Sequence, residues 1–371
     1  MTARVRTAIV GTGSIAAHHA VGLSELTDRV DLVAVADVDQ SKAETFAELH
    51  GAARAYPTLT EMLERERPDL VQICTPPRHH VGQAVQSLRA GASVLCEKPL
   101  TLSLAECDQI ERAEKETGHF CSTVFQWRFG SAAQHIKGLL DNGVLGRPLV
   151  VAGMTNWFRN DAYYDVLWRG TWGSEGGGPT LGHGIHCIDF VVWLLGGWRQ
   201  VDARLGRMVR NVETEDVSVA AVEFRGGALG TLVTSVVSPR QETRLRIDCE
   251  RATVELVHLY GYTNANWQVT PAEGCEDVAD AWRELAVDQG STHAAQLRHV
   301  LDCLEAGTRP LTSGYGARAT MEMVTAIYRS GITGGPTVPA DLVPSDPFYH
   351  QLHGGAEDWA AAPGAGALAA T

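Results

Sequence analysis

A chain of 371 residues with 44% hydrophobic content is long enough to bury more than one core, and two domains are expected. Its formal charge of −13 argues against a polyanion-binding surface, since no segment clusters Lys and Arg as a phosphate backbone requires, and nucleic acid is not an expected partner. No stretch is long and apolar enough to span a bilayer, Met1 to Thr7 does not read as a signal peptide, and the eight cysteines are scattered singly, as in a reduced cytoplasmic protein.

Residues 6–10 read as a strand that runs into Gly11-Thr12-Gly13-Ser14-Ile15-Ala16 and then into a helical stretch over 17–26. Gly11 permits a tight turn, Gly13 lets the backbone approach a pyrophosphate, and Ala16 takes the third small position, where helix and strand pack closely. Ser14 and Ile15 would bring free N–H groups to the phosphates at the helix N-terminus. A second strand over 31–36 ends at Asp37, which follows Gly13 by 24 residues. A carboxylate there accepts a hydrogen bond from the adenosine ribose and repels a 2′-phosphate, so NAD is favoured. Asp39 and Lys42 nearby leave NADP open, and an ordinary solvent-facing Asp at a strand end is the bland alternative.

Strand and helix keep alternating: strands over 70–74 and 92–96 flank a helix over 81–90. This pattern implies a parallel sheet covered on both faces, with ligands at the carboxyl ends of its strands. Thr75, Pro76, Glu97 and Lys98 fall at such ends. Pro76 and Pro77 cannot continue a central strand. His80 reads equally as a cofactor contact and as a polar helix start, whereas His79 favours the latter. A lysine fixed between a strand end and Pro99 in a desolvated pocket suits proton shuttling to or from a substrate hydroxyl.

Glycines 176 to 178 then lead into Pro179-Thr180-Leu181-Gly182-His183-Gly184-Ile185-His186-Cys187-Ile188-Asp189. With helical spacing, Gly182, His183 and His186 share a face, which leaves metal binding, core packing or a proton relay open. Zinc through His183, His186 and Asp189 is disfavoured because the three diverge around the helix, and no metal is expected. Upstream, Trp157, Phe158, Arg159, Tyr163, Tyr164, Trp168, Arg169 and Trp172 form an aromatic and cationic cluster. Arg128, Tyr163, Trp168 and Arg169 are its expected substrate contacts.

Taken together, the 11–16 turn, Asp37, Thr75-Pro76-Pro77 with His80, Glu97-Lys98-Pro99-Leu100, Gln126-Trp127-Arg128-Phe129, the 176–189 block and Gly314-Tyr315-Gly316-Ala317-Arg318 resemble the Gfo/Idh/MocA family, relatives of glucose-fructose oxidoreductase and inositol dehydrogenase. The resemblance spans roughly residues 5–340. It implies an N-terminal α/β Rossmann domain with a parallel sheet over 1–125, then an α+β substrate-binding domain with a large open, mostly antiparallel sheet over 126–345. Residues 346–371 would be a partly disordered tail, with Phe348 and Tyr349 docking on a neighbouring subunit or edging the active site. Independently, strands are expected over 149–154, 201–209, Val217–Phe224, 228–237, 244–249 and 253–258, with a hairpin at Gly226-Gly227 and helices over 293–305 and 318–330.

The resemblance further implies an NAD-dependent dehydrogenase acting on a sugar, cyclitol or glycoside CH–OH group. Lys98 would relay the proton, His186 would polarise the reacting oxygen, Glu97 would sit near the nicotinamide ribose, and the open sheet would build a homodimer or homotetramer. Many family members carry an aspartate four residues before the histidine, where this chain has Gly182. His183 is the neighbour that would compensate by meeting substrate. That gap also motivates a non-catalytic NAD- or sugar-sensing regulator, and redox-assisted glycoside elimination with recycled NAD is a variant of the enzymatic reading.

Overall fold

The computed structural model describes residues 4–356, 358–361 and 365–367. Two compact units emerge: Met1–Thr101, Glu106–Gln126 and Thr292–Arg318 form the first, and Leu102–Ala105, Trp127–Ser291 and Ala319–Thr371 form the second.

In the first unit, β1 (Val5–Val10), β2 (Val30–Ala36), β3 (Ala55–Tyr56), β4 (Leu70–Ile73), β5 (Ser93–Cys96) and β6 (Cys121–Thr123) form a parallel sheet in the order β3-β2-β1-β4-β5-β6. Its strands are Val- and Ile-rich and buried because helices cover both faces. The order reverses at β1 and β4, the switch point where open α/β sheets bind ligands. The break between the units at 126/127 lies beside the expected 125/126. Residues 292–318 return to this unit because the helix His293–Ala306 buries Leu297, Val300 and Leu301 in a core shared with Ala16, Ala20 and Leu23.

The second unit holds β7 (Pro148–Asn156), β8 (Trp198–Arg207), β9 (Val217–Phe224), β10 (Leu229–Ser235), β11 (Glu242–Cys249), β12 (Ala252–His258), β13 (Trp267–Pro271) and β14 (Ala365–Ala367). They lie in the order β13-β12-β11-β7-β10-β9-β8-β14, antiparallel except for the β10–β7 and β14–β8 pairs. The expected hairpin forms: β9 and β10 pair antiparallel around Gly227, whose φ of +88° suits glycine. Strands β9 and β12 alternate buried and exposed residues, the period of a sheet with one covered face.

Of the tail expected over 346–371, residues 346–356, 358–361 and 365–367 are described. Phe348 and Tyr349 are buried within the chain, and Trp359, about 1% exposed, donates its indole N–H to the Glu213 carbonyl at 2.6 Å. The expectation of disorder for the last residues, 368–371, falls outside the described residues.

Candidate active site

In the first unit the glycine turn is built for a phosphate. Gly11 has φ +85°, and a Cβ there would lie 2.8 Å from Thr75 and 2.9 Å from the Cys74 backbone, so only glycine fits. Gly13 caps the helix Ser14–Ser24 with no side-chain acceptor, and a Cβ at this exposed residue would meet nothing within 4 Å. Open space above uncapped helix N–H groups is what a pyrophosphate fills. Asp37 lies beside the same turn: Oδ2 accepts the Thr12 amide at 2.8 Å and hydroxyl at 3.0 Å, while Oδ1 accepts the Asp39 amide at 3.0 Å. Its carboxylate is thereby aimed and kept half-exposed, as a ribose acceptor must be. Asp39 caps the helix Gln40–His50, and Lys42 pairs with that carboxylate at 3.5 Å.

His80, which reads equally as a cofactor contact and as a polar helix start, begins the helix His80–Arg89. It is buried with Nδ1 2.7 Å from the Pro99 carbonyl oxygen and Nε2 2.7 Å from that of Thr75. The ring thus lies between the Thr75-Pro76 turn and the Lys98-Pro99 segment, and as a neutral imidazole it donates to one of the two carbonyls. Burial outweighs these two acceptors and lowers its pKa.

Glu97 is held by partners that sequence spacing does not reveal. Its Oε1 accepts from His19 Nε2 at 3.1 Å and His293 Nε2 at 3.3 Å, and its Oε2 accepts the Lys98 amide at 3.0 Å. Burial alone would raise the Glu97 pKa, but hydrogen bonds from the two imidazoles hold it well below the ordinary value. Burial likewise opposes charge on His19, yet Cys74 and Glu97 raise its pKa well above the ordinary value. His19 Nδ1 lies 2.6 Å from Gln72 Oε1. The three atoms His19 Nε2, Glu97 Oε1 and His293 Nε2 lie within 4.8 Å of one another.

In the second unit, the expected plain helix begins as a π-helical turn, Thr180–Gly184, before the α-helix Ile185–Leu195. His183 lies in the wide turn and His186 in the first α turn, and both are buried. Trp157 touches both rings, at 5.5 Å from His183 and 6.2 Å from His186, while Trp127 stacks on His186 at 5.3 Å. Tyr163, Trp168 and Arg169 come together as expected. The Arg169 guanidinium lies 3.8 Å above the Tyr163 ring and 4.4 Å from that of Trp168, and the Tyr163 hydroxyl is 3.5 Å from His183 Nε2. Arg128 does not join them. It is 3% exposed and binds Asp189 in bidentate fashion, Nε to Oδ2 at 2.9 Å and Nη2 to Oδ1 at 2.5 Å, so its role is to anchor the His186 helix. The same pair takes Asp189 out of any metal set.

Glu215, unremarked in the sequence, fastens the glycine turn. Its Oε2 accepts the Gly178 amide at 3.1 Å, and its Oε1 accepts the Thr180 amide at 3.0 Å and the Tyr328 hydroxyl at 2.8 Å. A Cβ on Gly178 would lie 2.2 Å from the Glu215 carbonyl oxygen, so the close approach demands glycine. Burial pushes the Glu215 carboxyl up to about 7 from 4.5, against these three donors. The folded chain thus holds the proton more tightly than the unfolded chain. The resulting stability is full below about pH 4.5 and is lost as pH rises towards 7, an effect of roughly 3 kcal/mol. Urea unfolding of the native chain and Glu215→Gln between these pH values is expected to show that slope only in the native chain. Equal slopes would reject the assignment.

An open glycine turn at the switch point of a parallel sheet, with an aimed acidic residue at the end of the second strand, marks a dinucleotide-binding fold. Residues 5–125 match the family described as oxidoreductase family, NAD-binding Rossmann fold, and residues 133–255 match the GFO/IDH/MocA C-terminal domain. The chain belongs to the GFO/IDH/MocA family and is an NAD-dependent dehydrogenase. It is 25% identical over 358 residues to D-glucoside 3-dehydrogenase of Escherichia coli (strain K12), covering 89% of this chain and 96% of that one. It is 26% identical over 342 residues to scyllo-inositol 2-dehydrogenase (NAD(+)) of Bacillus subtilis (strain 168), covering 91% and 96%. Among solved structures, the WlbA dehydrogenase from Bordetella pertussis, in complex with NADH and UDP-GlcNAcA, superimposes with TM-score 0.81 at 27% identity, covering 91% of this chain and 99% of that one.

Proposed function

We propose that this chain oxidises, or in reverse forms, a CH–OH group of a sugar, cyclitol or glycoside, with Lys98 as proton relay and His186 as the hydrogen-bond partner of the reacting oxygen. Bound NAD supplies the hydride acceptor. Gly11, Gly13, Ser14, Ile15, Asp37, Thr75, Pro76 and Glu97 serve the cofactor, while Tyr163, Trp168, Arg169 and His183 serve the substrate. The supporting observation is the pairing of two buried imidazoles with an aromatic and guanidinium wall, a surface suited to the apolar faces and hydroxyls of a sugar ring. Relatives named for a glucoside and an inositol, and a dehydrogenase structure in complex with UDP-GlcNAcA, support the same class. Supplying NAD with a panel of polyols, glycosides and sugar acids is expected to generate reduced-nicotinamide absorbance with at least one member, and less with NADP. A silent panel with tight NAD binding by calorimetry would reject the reading in favour of a sensor.

The open sheet supports a homo-oligomer as well. Val150, Val219, Leu229 and Val257 are exposed on its strands, at 52%, 46%, 62% and 42%. Light scattering is expected to give a dimer or tetramer mass. Replacing Val150 and Leu229, which are paired in register, with Lys should lower that mass.

A further inference from the structure

Gly182 leaves the His186 helix without a carboxylate of its own one turn ahead of that histidine. The space beside it is nonetheless acidic. A Cβ built on Gly182 would lie 3.7 Å from Glu175 Oε1, and nothing else falls within 4 Å of it. Glu175 is buried to 8% exposure, its Oε2 accepts the Gly170 amide at 2.5 Å, and its Oε1 lies 3.5 Å from Arg169 Nη1. The same Arg169 nitrogen donates to the Tyr163 hydroxyl oxygen. A guanidinium only donates, so the Tyr163 oxygen acts as acceptor there and its own O–H is available to His183 Nε2, 3.5 Å away.

We propose that Glu175 is the positioning carboxylate of this site: it reaches across the space left by Gly182, holds Arg169 against Tyr163, and thereby keeps His183 in the tautomer with Nδ1 protonated and Nε2 accepting. The residue comes from the loop before the glycine turn rather than from the helix itself. Gly182 is then part of the arrangement, because a carboxylate at 182 would crowd Glu175 Oε1 with a second negative charge in a buried place. Tyr163, whose pKa burial raises, stays a neutral donor in this chain of contacts.

The inference rests on the dehydrogenase reading for its kinetic consequence but not for its structural one, and the experiment separates the two. In Glu175→Gln the amide oxygen still accepts from Gly170, while the NH2 group turns Arg169 away, so the fold is kept and the chain of contacts is cut. The ¹⁵N shifts of the His183 ring are expected to report Nδ1–H alone in the native chain and a tautomer mixture in the variant. His183 serves to place the substrate, and misplacement of a positioning group costs up to about 10²-fold, so the loss of its orientation should lower kcat by at least about tenfold, with KM for NAD unchanged. Gly182 does not have a positive φ, so a side chain is sterically allowed there. The double variant Glu175→Gln/Gly182→Asp returns a carboxylate to the same space and should recover kcat, whereas Gly182→Asp alone should lose it. Unchanged ring shifts in Glu175→Gln, unchanged kcat, or no recovery in the double variant would each overturn the proposal. Absence of turnover by the native chain on every substrate would reject the dehydrogenase reading and leave the ring shifts to decide the role of Glu175.

Discussion

Lys98→Ala and His186→Ala are each expected to lower kcat by about 10²–10⁴-fold, the contribution of a positioned acid–base group, with little change in KM for NAD. The split follows from where each residue sits. In Lys98→Ala, the Gly11 and Gly13 turn, Asp37 and the Glu97 carboxylate with its two imidazoles are untouched, and the Lys98 backbone amide still reaches Glu97 Oε2. Only the ammonium is lost. In His186→Ala the helix Ile185–Leu195 retains its Arg128–Asp189 anchor, while Trp127 and Trp157 lose the ring between them. Initial rates followed by reduced-nicotinamide absorbance, with NAD and substrate varied separately, check both. Full turnover in both variants would sink the assignment of the proton relay, whatever the fold.

The cofactor end of the site was legible because its chemistry is local. A strand, two glycines, a helix and one acidic residue a strand later occupy a short stretch, and the structure places Gly11, Gly13 and Asp37 around one turn. The polar partners were illegible because they are distant in sequence. Glu97 meets His19 from 78 residues before it and His293 from 196 after it, and the Glu215 clamp on Gly178 depends on Tyr328, 113 residues beyond Glu215. No local period encodes such contacts. Arg128 shows the opposite failure. Its type suggested a hydroxyl-binding guanidinium, but burial beside Asp189 committed its Nε–Nη2 edge to that carboxylate. Gly182 read as a missing acid for a related reason, since the carboxylate beside it belongs to Glu175, outside the helix.

The Arg128–Asp189 pair carries the largest expected effect on stability. Both side chains are at most 3% exposed, and Thr320 adds a third contact by donating to Asp189 Oδ1 at 2.7 Å. Burial raises the Asp189 pKa, and Arg128 with Thr320 opposes it. Arg128→Ala removes the opposition and leaves a carboxylate in a closed place, so unfolding free energy should fall by about 3–5 kcal/mol. Replacing both partners with apolar residues, Arg128→Met with Asp189→Leu, removes the charge with the ion pair and should restore most of that loss. Urea unfolding of the single and double variants measures the difference, and an equal loss in both would show that packing rather than the uncompensated charge dominates. Turnover adds a second discrimination. His186 is also held by Trp127 and Trp157, so kcat in the apolar double variant is expected to recover along with stability. A stable double variant with low kcat would mean that the ion pair sets the His186 helix in a way its stacked rings do not.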